Sequence, residues 1–98
     1  MTQITFDAAY NVLLIHVPEI PEADEYLFWA KLFLHQEALT IIEELEGADR
    51  HQTRFSYGSS TFNMNFEHYT DSIWIAPEGT ESEEQLVNLS KYLLTSFQ

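Results

Sequence analysis

Ninety-eight residues with sixteen Asp and Glu against four Lys and Arg form one acidic domain of net charge −12 at pH 7, large enough to bury roughly two-thirds of its unfolded surface. The charge excludes binding to DNA, RNA or anionic lipid through phosphates, which needs clustered Lys and Arg, and the lack of cysteine excludes disulfides, thiolate metal sites and cysteine nucleophiles. MTQITFDAAY carries no basic segment leading into an apolar one, and the longest apolar run, Val12 to Val17, is too short to span a bilayer, so a soluble cytoplasmic protein with no membrane partner is expected.

Ile4 to Asp7 and Val12 to Val17 predict two strands joined by a turn at Asn11. The second, VLLIHV, is nearly all apolar, as a central strand covered on both faces or a crowded one would be. Pro18 ends it, and Pro21 suits the first position of a helix, where its missing N–H costs nothing. From about Glu22, residues Leu27, Ala30, Leu34, Ala38, Ile41 and Leu45 recur at helical spacing. The helix is placed to end near Leu39. Thr40 to Leu45 either continue it or begin a strand, because Thr-Ile-Ile favours extended backbone, and Gly47 then marks a bulge or break.

From Asp49 the period changes to two. Thr53, Phe55 and Tyr57 alternate with Arg50, Gln52, Arg54 and Ser56, and after Gly58-Ser59, Phe62, Met64 and Phe66 alternate with Asn63, Asn65 and Glu67. After Thr70-Asp71-Ser72, a short strand puts Ile73 and Ile75 on one face and Trp74 on the other. Such a run predicts an antiparallel meander, apolar on one face and polar on the other. Thr80 to Glu83 form a T-x-x-E capping box opening a helix with Leu86, Leu89, Leu93 and Phe97 along one side. The order ββαβββα predicts an α+β fold: a single antiparallel sheet of about five strands with two helices on one face.

The residues GADRHQ at Gly47 to Gln52, the strand ending Phe66-Glu67, and Asp71-Ser72-Ile73-Trp74 together suggest a family. Over the meander, roughly Gly47 to Ala76, the chain resembles a group of small gammaproteobacterial proteins known only as a domain of unknown function. The resemblance implies a bacterial cytosolic protein. It implies no activity and no functional residue.

Two of the four basic residues, Arg50 and Arg54, flank His51 and Gln52, and the hairpin register decides what they face. A two-residue Gly58-Ser59 loop, with Gly first, is a type II′ signal that pairs Arg54 with Asn63 and Arg50 with Glu67. A Thr70-Asp71 turn would set Trp74 opposite Glu67, making one row of Arg50, Glu67 and Trp74. In one reading the arginines balance local acids across strands. In the other, Arg50, Arg54, Glu67 and Trp74, with Gln52, Asn63 and Asn65, form a recognition surface, since Arg and Trp are enriched at binding hot spots.

A metal-dependent hydrolase is the enzymatic rival. A four-residue loop, Gly58 to Thr61, would pair His51 with His68 on the apolar face, and two histidines with a Glu can hold a divalent ion. No H-x-x-x-H or HExxH spacing is present, so no metal and no cofactor is expected. Asp49 and His51 with Ser59 or Ser60 have the residue types of a triad but neither a nucleophile elbow nor a glycine-lined oxyanion hole.

Trp29, Leu32 and Phe33 lie off the main helical stripe, so Tyr26 to Leu34 are apolar nearly all round. Such a helix is covered on more than one side: by its own chain, by a second copy in a homodimer, or by a partner helix. The leading expectation is a non-enzymatic acidic binding or adaptor module, its surface either the polar sheet face or a Trp29/Phe33 patch. The alternative is an acidic inhibitor, of immunity or DNA-mimic type, using the carboxylates of Glu22 to Glu25 and Glu43 to Glu46.

Overall fold

In the computed structural model of the chain, residues 2–47 and 50–96 are described. Asp49 and Phe97, named above as a triad acid and as a member of the C-terminal stripe, lie outside them. The elements in chain order are β1 (Gln3–Asp7), β2 (Val12–His16), α1 (Tyr26–Phe33), β3 (Leu39–Glu46), β4 (Arg50–Tyr57), β5 (Ser60–Glu67), β6 (Ser72–Pro77), α2 (Gly79–Glu84) and α3 (Leu86–Ser96). The expected α+β class with one antiparallel sheet is present. Among the described residues, however, the sheet has six strands rather than five, in the order β1-β2-β6-β5-β4-β3, and there are three helices rather than two.

The extra strand is β3. Helix α1 ends at Phe33, where Leu34 caps it and the His35 and Gln36 amides turn back to Leu32 and Leu34. In the β-branched run Thr40-Ile41-Ile42, Thr40 and Ile41 then pair with Ser56 and Phe55 of β4 at the edge of the sheet. Gly47 stands in the break between β3 and β4, and the bulge falls at Ile42, where the β3–β4 register shifts between Ile41 and Glu43. Gly47 closes the hairpin, its amide donating to the Arg50 carbonyl at 2.8 Å. The helix also starts later than Glu22, for the Ala23 carbonyl accepts from His51 of β4 at 2.8 Å and the first helical bond runs from Trp29 to Glu25.

Turns set the remaining register. Gly58 has φ +61, and the two-residue loop pairs Tyr57 with Ser60, Arg54 with Asn63 and Arg50 with Glu67 as expected. His51 consequently faces Phe66 rather than His68. The β5–β6 loop differs from expectation: Glu67 faces Ser72, so four residues close it, and Trp74 pairs with Asn65. The β1–β2 loop is built alike, with Asp7 facing Val12. Each loop ends on a left-handed residue, Asn11 at φ 51 and Asp71 at φ 50, residue types that tolerate that conformation. The Asp7 carboxylate accepts the Ala9 and Tyr10 amides at 3.0 and 3.3 Å.

The core lies between one sheet face and the helices. Leu13, Ile15, Phe55, Phe62, Met64, Phe66, Ile73 and Ile75 point from the strands toward Tyr26, Ala30 and Phe33 of α1 and Leu86, Leu89 and Leu93 of α3, all buried. Tyr26 is wholly covered, stacked on Phe66 at 5.0 Å with its hydroxyl donating to the Met64 carbonyl at 3.2 Å. Burial pushes its ionisation far above the ordinary tyrosine range.

The capping box does not form as expected. The helix opens at Gly79, φ +78, and Glu78 before it makes no side-chain cap, since its carboxylate is held elsewhere. Ser82, inside the T-x-x-E pattern, is buried, and its hydroxyl accepts the Thr61 amide at 3.1 Å. The helix breaks at Gln85 into α2 and α3. Among the described residues no helix is long and apolar enough to cross a membrane.

Candidate functional site

The register places Arg50, Gln52, Arg54, Asn63, Asn65, Glu67 and Trp74 on the sheet face opposite the core. Arg54 clasps Glu78 by two bonds, Nε to Oε1 at 2.7 Å and Nη2 to Oε2 at 3.0 Å, and the Asn63 amide donates to Oε1 at 2.9 Å. These donors hold the Glu78 carboxyl below the ordinary glutamate range, the Arg54 bond contributing most. The Arg50 guanidinium stands 5.4 Å from the centre of the Trp74 ring, a cation–π contact. Arg50, Glu67 and Trp74 are therefore neighbours without being one row, because the four-residue loop moves Trp74 beside Asn65. Gln52 donates to the Asn65 side chain at 3.0 Å, and Asn65 is buried despite standing on the polar face. Both arginines are thus occupied within the chain. They tie β4 to β6 and to the residue that leads into α2.

His51 is a packed side chain. It is 6% exposed, packs beside the stacked rings of Tyr26 at 5.7 Å and Phe66 at 6.0 Å, and meets the Ala23 carbonyl through Nε2. A carbonyl only accepts, so Nε2 carries the proton. His68 sits in the β5–β6 loop, 4.7 Å from the Tyr69 ring. Among the described residues one group of three carboxylates, Glu22, Asp24 and Glu25, has ligand atoms within 4.8 Å of one another, and all three are exposed. Neither His51 nor His68 belongs to it. A triad with Ser60 fails on distance, as Ser60 faces Tyr57, six residues or about 20 Å along β4 from His51.

Helix α1 departs most from expectation. Its buried stripe is Tyr26, Ala30 and Phe33. Phe33, expected on an open patch, is 7% exposed and stacks on the half-buried Trp29 at 4.9 Å, with Trp29 also 6.0 Å from Tyr26. The two are bracketed by the chain's own core because the helix is pinned at Tyr26, which turns the Trp29/Phe33 side inward. The open face instead carries Phe28, 69% exposed, and Leu32, 61% exposed, one turn apart on the same side. With Ile20, Pro21 and Trp29 they line a groove of about 410 Å³ between α1 and the preceding segment, and Glu19, Glu22 and Glu25 line it too. Sequence reasoning passed over Phe28 because a helix drawn from Glu22 to Leu39 centres its buried stripe on Leu27 and Leu34. With Ala38, Ile41 and Leu45 outside the helix, Tyr26, Ala30 and Phe33 define the buried side, and the pair Phe28 and Leu32 at i, i+4 falls on the face opposite.

The chain is thus an α+β protein with one sheet face covered by helices, the other ordered by its own side-chain contacts, and a groove along the first helix lined by apolar and acidic side chains. A family model described as protein of unknown function (DUF3630) matches residues 1–97, and the chain belongs to that family. No curated protein and no solved structure matches it.

Proposed function

We propose that the chain is a non-enzymatic protein-binding module of the bacterial cytosol whose contact surface is the groove along α1. The observation that carries this is the exposure of Phe28 and Leu32 side by side, next to Ile20, Pro21 and Trp29. Covering two such side chains contributes about 3–6 kcal/mol gross, against an association cost of about 4–15 kcal/mol. They therefore anchor a contact that other groups must complete. The polar sheet face is the weaker candidate, because Arg54 is spent on Glu78 and Arg50 on Trp74.

Three immobilised forms, the natural chain, Leu32→Asp and Arg50→Gln, incubated with cytosol from its own source, separate the two surfaces. Retention of one protein by the natural chain and by Arg50→Gln, with loss in Leu32→Asp, is expected. Loss in Arg50→Gln alone would move the binding surface to the sheet.

A further inference from the structure

The groove is lined by apolar and acidic side chains together. Ile20, Pro21, Phe28 and Leu32 supply the apolar part; Glu19, Glu22 and Glu25 line it beside them, and the Asp24 carboxylate lies within 4.8 Å of those of Glu22 and Glu25. The cation on α1 does not offset them, because the Lys31 ammonium lies 3.9 Å from Glu44, toward β3.

Resting on the groove as the binding surface, we infer that its occupant is a cationic amphipathic segment of another protein. Its apolar side chains, at helical spacing, cover Phe28 and Leu32, and its Lys or Arg face Glu19, Glu22 and Glu25. Helices that lay an apolar face into a groove are a recurrent mode of recognition, and complementary charge at the rim speeds encounter and rejects wrong partners. A second copy of this chain fits poorly on two counts. A twofold contact through the same groove sets each acidic rim against its own copy in a chain of net charge −12. The exposed pair also offers far less than the ~800 Å² per partner of a stable interface. Nucleic acid and anionic membrane are repelled by the same carboxylates.

The probe is a short fluorescein-labelled peptide with Leu at positions i, i+3, i+4 and i+7 and Lys on the remaining face, compared with its Lys→Gln counterpart. Anisotropy gives affinity at low and high salt, and NMR signals of Ile20, Phe28 and Leu32 report location. The Lys peptide is expected to bind and shift those signals. Binding should weaken about ten-fold or more in Phe28→Ser and in the double variant Glu22→Gln/Glu25→Gln, and should weaken as salt rises. Glu81→Gln/Glu84→Gln, which removes equal charge beside the Gly58–Ser59 turn, should leave it unchanged. If the Gln peptide binds the same signals equally well, the cationic partner falls while the groove stands as a binding surface. If neither peptide shifts those signals, both fall. Equal weakening by the α2 substitutions would reduce the attraction to bulk charge, and self-association through Phe28 would make a second copy the occupant; either overturns the inference.

Discussion

Arg54 holds both carboxylate oxygens of Glu78, at 2.7 and 3.0 Å, from a strand position twenty-four residues earlier in the chain. The clasp fixes the exit of β6 and the approach to α2, and it explains why Glu78 fails to cap that helix. Because the folded carboxyl titrates below the ordinary range, its contribution to stability is complete above the unfolded value, about 4.3. It is lost as pH falls through the folded value. Glu78→Gln is therefore expected to lower the urea midpoint at neutral pH, and its deficit relative to the natural chain should shrink on acidification below about pH 4.3. A deficit independent of pH would show that the charge of Glu78 is not what matters.

Phe33 and Phe28, five residues apart on one helix, should respond in opposite ways to truncation. Phe33 is 7% exposed against Trp29 and the core, so Phe33→Ala should cost about 3–5 kcal/mol. Phe28 is 69% exposed, and Phe28→Ala should change stability by no more than about 0.5 kcal/mol. Urea denaturation of the two variants measures this directly. Comparable losses would mean that the outer face of α1 is packed within the chain.

Two glycines hold their turns for different reasons. Gly58 has φ +61 with nothing within 4 Å of an added Cβ, so Gly58→Ala incurs only the left-handed backbone penalty of about 1–2 kcal/mol. Gly47 has no such dihedral, but an added Cβ would sit 2.9 Å from the Arg50 carbonyl oxygen, a clash with backbone that cannot swing aside. Both alanine variants should melt lower, Gly58→Ala by roughly 4–8 °C per kcal/mol. An unchanged melting temperature in Gly58→Ala would mean that the turn does not need its left-handed residue.

The period-two strands and the Gly58-Ser59 turn were legible because each is local: a run of alternating residues and a dipeptide suffice to pair Arg50 with Glu67. The β5–β6 loop was not, since a left-handed Asp71 suits a four-residue loop as well as Thr70-Asp71 suits a two-residue one. That choice moved Trp74 from Glu67 to Asn65. The stretch Thr40 to Leu45 fits helical spacing and extended propensity equally, and pairing with β4 decides it. At the site, the acids before α1 and its apolar wrap were visible, yet which aromatics face outward was not. That depended on the helix ending at Phe33, which removes Ala38, Ile41 and Leu45 from the stripe and leaves Tyr26, Ala30 and Phe33 to define the buried side. Likewise nothing near Arg54 in sequence points to Glu78.

Cross-linking from α1 tests the central claim most directly. A p-benzoylphenylalanine placed at position 28, in cells that make the protein, would be irradiated alongside the same label at position 10, which replaces the 78% exposed Tyr10 of the β1–β2 loop. The groove as a binding surface predicts one dominant adduct with a second protein from position 28, abolished when Leu32→Asp is added and absent from position 10. No adduct at position 28, or the same adducts from both positions, would contradict it.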